Sequence, residues 1–172
     1  MTTWLIVCEG PSHKGYEQLT RKLIEKYKET SIGVNYAGLL PVRHWMFLDS
    51  DMWRCISDEL RPDQKVICNR GVAQHPRRGK IKVFKTVSTC LECSGNAAIK
   101  YAIDQGATDI ITIGHDLTKE WTHYNDRPGK IQHDLYITTV VNVLRRLQKE
   151  ARIYSLNPDN PLGLPCWDEK GD

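Results

Sequence analysis

Long hydrophobic runs are missing from this chain of 172 residues. No stretch approaches the roughly 18–20 apolar residues that cross a bilayer. The opening Met-Thr-Thr-Trp lacks the basic segment that begins a secretory signal peptide. The net charge is only +3, which by itself gives no reason to expect nucleic-acid binding. These absences predict a cytoplasmic protein with no membrane partner, for which nucleic acid is not an expected partner either.

Paired cysteine motifs are also scarce. Cys90 and Cys93 have Cys-x-x-Cys spacing, but no second such pair and no His-x-x-x-His accompanies them. Thiols are expected to stay reduced in a cytoplasmic protein. We therefore expect buried or unused thiols, and a structural zinc site completed by Cys68 or Cys166 is the alternative.

What the chain does have is a regular alternation of strand-like and helix-like segments. The strand-like segments are 4–8, 31–35, 44–48, 65–68, 80–87, 109–113 and 152–156, and the helix-like segments are 15–28, 51–59, 94–105 and 133–150. This alternation predicts an α/β fold with a single doubly wound, mostly parallel sheet flanked by helices. The length fits one domain, residues 1–160, followed by an irregular tail, 161–172.

Residues 70–80 are rich in basic residues, Gly and Pro, and we predict a flexible loop there. Basic side chains cluster at the end of this segment and just beyond it, at Arg77, Arg78, Lys80, Lys82 and Lys85. Such a run is most often a solvated loop. The alternative is that it attracts an anionic substrate.

Two turns at the ends of predicted strands or the starts of helices favour phosphate binding. Gly10-Pro11-Ser12 follows the first strand, where glycine permits a close backbone approach and Ser12 either donates to a phosphate or caps a helix. Ser94-Gly95-Asn96 begins a helix, whose first N–H groups favour an anion. Both turns are predicted to contact a nucleotide.

Polar residues follow the second and third predicted strands. Asn35 and Asp49 would share the carboxyl edge of a parallel sheet with Ser12, where an amide and a carboxylate suit a ribose or a base. Asp49-Ser50-Asp51 also has the pattern of two carboxylates that hold a divalent ion on a diphosphate. A cap for the following helix is the alternative.

The central strand ends in Gly114-His115-Asp116, and Asp116 is predicted to contact the ligand or to act as a base. A turn cap is its alternative role. His133 precedes the last long helix and could serve as a general acid or base near neutral pH. Trp121 and Tyr124 lie on a segment, 117–131, predicted to be a loop that closes over a ligand.

In their order along residues 3 to about 160, these runs resemble two related groups of enzymes. One is glycosyltransferase family 42, the bacterial sialyltransferases, and the other is the group of 6-hydroxymethylpterin diphosphokinase-like proteins. Both groups have a strand leading to a Gly-Pro-Ser-like turn, a Ser-Gly helix start and a strand ending in Gly-x-Asp. The matching elements here are Gly10-Pro11-Ser12, Ser94-Gly95 and Gly114-His115-Asp116.

The resemblance implies a Rossmann-like transferase, and the likeness to the sialyltransferases implies that it needs no metal. It implies that the nucleotide is bound by Gly10, Ser12, Asn35, Ser94, Gly95 and Asp116, that His133 assists departure of the phosphate, and that Trp121 or Tyr124 lies near that phosphate. The chain is shorter than those enzymes, and the sugar and the acceptor do not follow from the likeness. An acidic residue at Asp49 suits the metal-using relatives better.

Three functions follow as hypotheses. The first is a glycosyltransferase that moves a sugar from a nucleotide donor to an acceptor hydroxyl, with no cofactor. The second is a pyrophosphoryl transferase using ATP and Mg²⁺, with the metal organised by Asp49, Asp51 and Asp116. The third is a non-catalytic nucleotide-binding or interaction protein. Under each hypothesis, the sequence leaves open whether the chain forms a homo-oligomer.

Overall fold

The structure is a computed structural model and describes residues 1–88, 93–116 and 134–168. Within these residues, seven strands form one sheet in which every neighbouring pair is parallel. The strands are β1 (Thr3–Val7), β2 (Ser31–Val34), β3 (His44–Phe47), β4 (Lys65–Asn69), β5 (Val83–Val87), β6 (Asp109–Ile113) and β7 (Arg152–Ser155). The helices are α1 (Glu17–Lys26), α2 (Trp53–Glu59), α3 (Arg70–Ala73), α4 (Ser94–Asp104) and α5 (Asp134–Leu147).

The helices cover the sheet from both sides because each central strand is apolar on both faces. On one face, Leu5 and Val7 of β1 pack with Leu23 and Ile24 of α1. On the other face, alternate residues of β1 pack against α4 and α5, in a cluster that includes Ile6, Ala97, Ala98, Leu144 and Leu147. Strands buried on both faces are typical of parallel sheets covered by helices. The predicted doubly wound α/β fold is thereby confirmed.

The strand order is β5-β4-β3-β2-β1-β6-β7, so the direction of winding reverses at β1. From β1 the chain adds β2 to β5 on one side, and then returns through α4 to place β6 on the other side. The helices that follow these two strands, α1 after β1 and α5 after β6, therefore lie on opposite faces of the sheet. In open α/β sheets this reversal point is where ligands bind, at the carboxyl ends of the strands.

Most predicted elements are confirmed with bounds shifted by up to three residues. The predicted flexible loop over 70–80 is corrected, since α3 and a one-turn helix at Pro76–Arg78 occupy much of it. The Asn69 side chain accepts a hydrogen bond from the Val72 N–H at 2.8 Å and so fixes the start of α3. A local cap of this kind stabilises a turn too short for a periodic pattern.

The end of the described chain packs back onto the sheet. Ser155 forms an isolated parallel bridge with Cys166, and the Trp167 N–H donates to the Ser155 carbonyl at 2.8 Å. Leu164 is buried beside the α4 and α5 cluster. Among the described residues, no helix combines the length and the apolar character that crossing a membrane requires.

Candidate functional site

The loops after β1 and β6 contact each other directly at the reversal point. The Gly10 N–H donates to the Gly114 carbonyl at 2.7 Å. A Cβ atom at Gly10 would lie 2.4 Å from both this carbonyl oxygen and Oδ2 of Asp116. Gly114 has a φ of +69°, and a Cβ there would lie 2.4 Å from the Cys8 carbonyl oxygen. Both glycines are thus required by the close approach of the two loops.

Ser12 and Asp116 join these loops through two hydrogen bonds. The Ser12 N–H donates to Oδ2 of Asp116 at 2.8 Å, and Ser12 Oγ donates to Oδ1 at 2.6 Å. Asp116 is 4% exposed, so this charge-assisted pair is well shielded from water. The two Ser12 donors predicted to bind a phosphate therefore hold an internal carboxylate. Pro11 begins the single 3₁₀ turn that presents Ser12.

The first turn of α4 lies beside the loop after β6. Asn96 is completely buried, its Nδ2 donates to the Val140 carbonyl at 3.0 Å, and its Oδ1 lies 3.2 Å from His115 Nε2. With Oδ1 as the acceptor, His115 carries its proton on Nε2. Asn96 thus joins α4 to α5 and orients His115, which is a different role from the predicted contact with a nucleotide.

Gly95 allows the His115 ring to lie directly against α4. A Cβ atom at Gly95 would be 2.5 Å from both Cε1 and Nδ1 of His115. Burial lowers the pKa of His115 to about 4, so the ring is neutral near pH 7. The half-buried Ser94 is the residue of this turn with the most access to solvent, and together with Gly95 it forms the positive end of α4.

Two buried titratable residues near the turn after β1 were not predicted as site residues. Glu9 is 4% exposed and immediately precedes Gly10. His13 is 2% exposed, and burial lowers its pKa, although Glu17 and a hydrogen bond with the Cys8 backbone oppose the shift. A charged residue directly after a fully apolar strand is the signal that would have identified Glu9.

Burial is also the main cause of the raised pKa of Cys8, which the nearby Cys93, Asp116 and Glu9 raise further. The Cys8 thiol is therefore protonated near neutral pH. Cys93 caps α4, and its Sγ accepts from the Asn96 N–H at 3.4 Å. These groups show that acidic and thiol side chains converge where β1 ends.

Asn35 follows β2 directly and is level with Glu9, just after the neighbouring β1, because Val7 pairs with Gly33. Its φ of +53° makes it the one non-glycine residue of the described chain in the left-handed region. Its Oδ1 is buried and has no hydrogen-bond partner among the described residues. A buried amide oxygen without a partner is rare and calls for a ligand or a water.

Asp49 and Asp51, the predicted metal pair, both follow β3. Asp49 is exposed after β3, and its side chain makes no capping hydrogen bond to the one-turn helix Ser50–Met52 that follows. Asp51 is exposed and forms an ion pair with Arg77 at 2.8 Å, on the side of the sheet remote from β6. Within the described residues, no group of three or more His, Cys, Asp or Glu side chains is arranged to hold a metal ion.

Several predicted residues fall outside the described part of the chain. They are His133, Trp121, Tyr124 and Cys90. The two cysteines considered as further zinc ligands are far apart, because Cys68 is on β4 and Cys166 lies beside β7. A zinc site completed by one of them stays a prediction, because Cys90 lies outside the described residues.

Comparison with protein-family models, with curated proteins and with solved structures found no match for this chain. The parallel, doubly wound sheet defines the fold class on its own. The resemblance to glycosyltransferase family 42 and to the diphosphokinase-like proteins stays a prediction, and so does the function that it implies.

Proposed function

We propose that this chain is a nucleotide-dependent transferase of the glycosyltransferase type, which moves a sugar from a nucleotide donor to an acceptor hydroxyl. One observation supports this more than any other. The sheet reverses between β1 and β6, and the turns at Gly10 and Gly114 meet there. Nucleotides bind at such reversal points in open α/β sheets.

The side chains around the reversal point suit the two ends of a nucleotide. The first turn of α4, at Ser94 and Gly95, offers N–H groups and a positive helix end to a phosphate. The unpartnered Oδ1 of Asn35 would accept a hydrogen bond from a ribose hydroxyl or a base amino group. Ligand binding would thereby satisfy an amide oxygen that no described residue satisfies.

Asp116 is suited to activating the acceptor hydroxyl. Each of its carboxylate oxygens accepts one hydrogen bond from Ser12 and keeps a second acceptor position. Held in one orientation by these bonds, the carboxylate would accept the proton of the attacking hydroxyl. His133 would protonate the departing phosphate, as the resemblance implies.

One observation favours the metal-dependent alternative. Asp49 is exposed at the carboxyl end of β3 and forms no ion pair with any described residue. An open carboxylate at this edge would bind Mg²⁺ on a nucleoside triphosphate. Asp51 contributes less to this alternative because Arg77 already neutralises it.

A thermal-shift screen tests the proposal. CMP, CDP, UDP, GDP, ATP and CMP-sialic acid are each added with Mg²⁺ or with EDTA. A ligand at 100 times its Kd stabilises the fold by about 2.7 kcal/mol, which raises Tm by roughly 5–10 °C in a protein of this size. We expect stabilisation by a nucleotide in EDTA, and its loss in Asn35→Ala but not in the exposed control Asn142→Ala.

Turnover separates an enzyme from a binding protein. In an assay of nucleotide release from the sugar donor that stabilises the fold, Asp116→Asn should bind the donor and lose at least 100-fold in rate. Stabilisation by ATP only with Mg²⁺ would favour pyrophosphoryl transfer. Absence of stabilisation by every nucleotide would contradict both enzymatic functions.

A further inference from the structure

Positive charge is concentrated in one segment of the sequence. Residues 64–88 contain seven Lys or Arg and no Asp or Glu, whereas the rest of the chain has 17 basic and 21 acidic residues. The net charge of +3 therefore conceals a strongly basic segment on an otherwise acidic protein. An uneven distribution of this kind indicates an anionic partner more directly than the total does.

The fold places this segment along one side of the sheet. It forms β4, α3 and β5, and β5 is the last strand of the sheet on that side. We call this surface the basic edge, defined by Lys65, Arg70, Arg77, Arg78, Lys80, Lys82 and Lys85. Four of these residues, Arg70, Lys80, Lys82 and Lys85, are exposed and belong to no ion pair among the described residues.

An exposed aromatic ring lies among these charges. Phe84 on β5 is 50% exposed and is the one aromatic residue among the exposed large hydrophobic side chains of the described chain. Lys65 Nζ lies 4.6 Å from the centre of its ring, and the buried His44 ring lies 6.4 Å away on the protein side. The Lys65 ammonium therefore lies over one face of the Phe84 ring, which leaves the other face for a stacking partner.

We propose that the basic edge binds single-stranded nucleic acid. Proteins that bind single strands without sequence preference combine a basic track for the phosphates with an aromatic ring on which a base stacks. Lys80, Lys82 and Lys85 supply such a track, and Phe84 supplies the ring. A duplex keeps its bases stacked internally and would leave Phe84 unused.

The extent of the basic edge argues for a polymer. A five-residue strand spans roughly 17 Å, so charges from Arg70 after β4 to Lys82 before β5 are too widely spread for one phosphate group. Pairing of β5 with a second copy of itself would bring Lys82 and Lys85 against like charges. The basic edge is also separate from the reversal point, since β5 is four strands, or roughly 19 Å, from β1.

Fluorescence anisotropy tests the proposal with three labelled probes: a 20-nucleotide oligouridine, a duplex of equal length, and a 20-residue polyglutamate. We expect the full chain to bind the single strand most tightly, with an affinity that falls as salt is raised. The variant Lys80→Gln/Lys82→Gln/Lys85→Gln should weaken binding at least tenfold. It should also reduce the slope of log affinity against log salt by about 2, because each phosphate that a lysine no longer neutralises lowers that slope by about 0.7.

The control variant Arg21→Gln/Lys22→Gln/Lys28→Gln removes the same charge from exposed positions in and just after α1. It should weaken binding no more than twofold. Phe84→Leu keeps an apolar side chain but removes the stacking surface, and should weaken single-strand binding at least fivefold. Thermal melting of each variant establishes that it is folded.

Equal losses in the two triple variants would overturn the proposal, because net charge alone would then explain binding. Tightest binding to polyglutamate would assign the basic edge to an acidic protein partner instead. Tightest binding to the duplex, with Phe84→Leu unchanged, would also contradict it. These results do not depend on the nucleotide screen, so the two proposals can fail separately.

Discussion

Ser12 and Asp116 show how a single pair of residues holds the candidate site together. Their side chains come from loops 104 positions apart in sequence, and each Ser12 donor meets one carboxylate oxygen. Hydrogen bonds to a buried charge contribute more than neutral ones, because the charge loses its hydration on burial. The pair thus stabilises the fold and orients the carboxylate that we propose as the base.

Ser12→Ala should lower the free energy of unfolding by about 1–3 kcal/mol, since Oδ1 of Asp116 loses its donor while the backbone N–H bond remains. Urea denaturation measures the change. Ser50→Ala is the matched control, because Ser50 is half-buried in a one-turn helix, and it should change stability by no more than about 0.5 kcal/mol. Equal small effects would mean that the hydrogen bond from Ser12 Oγ contributes little.

At the level of elements, the packing of α4 places the first turn of this helix against the loop after β6. Its alanines lie close to the sheet, and Asn96 ties it to α5. The His115 ring lies against Gly95, in the space that a Cβ atom on this residue would need. The position of α4, and with it the positive helix end, depends on this close packing.

Gly95→Ala should therefore destabilise the fold by about 1–3 kcal/mol, because the ring or the helix must shift to admit the methyl group. Gly71→Ala is the control. Its added Cβ would meet only Asn69 Oδ1, at 3.4 Å, and it should be neutral or stabilise by up to about 1 kcal/mol. If Gly95→Ala were as stable as the parent chain, the close packing of His115 on α4 would be wrong.

For the molecule as a whole, buried histidines should make stability depend on pH. Burial lowers the pKa of both His44 and His115 to about 4, while the unfolded chain titrates near 6.5. The unfolded state therefore binds more protons as the pH falls below 6.5, and stability is lost progressively down to about pH 4. Above pH 6.5 both histidines are neutral in both states, and this dependence disappears.

Urea denaturation at pH 7.0 and pH 4.5 should show this loss, with about 2 kcal/mol from each histidine. In His44→Gln, whose side chain can still donate to the Ser31 carbonyl, the difference between the two pH values should shrink by about that amount. An unchanged difference in this variant would show that His44 is not a buried neutral group.

The elements of the sheet were predictable from the sequence because apolar strands buried on both faces give continuous hydrophobic runs, as at Asp109–Ile113. The end of each strand also indicated Gly10, Asn35 and Asp116. The strand order was not predictable in this way, since pairing joins β1 to β6 across more than a hundred residues. Short capped turns such as α3 also lack a periodic signal.

The detailed roles of the site residues depended on tertiary contacts. Asn96 and Ser12 were predicted to contact a ligand, yet their side chains bind His115 and Asp116. Glu9 was overlooked because a single acidic residue after a strand usually faces water, whereas here it is buried. Sequence patterns predicted a region for the candidate site but could not identify which polar groups bind one another.

The central claim is that a nucleotide binds where the sheet reverses. The most direct measurement is a titration of ¹⁵N-labelled protein with the nucleotide that stabilises it most, followed by amide chemical shifts. We predict the largest changes at Glu9, Gly10, Asn35, Gly95 and Gly114, with little change along β5. Changes confined to β5, or to the amino ends of the strands, would contradict the claim.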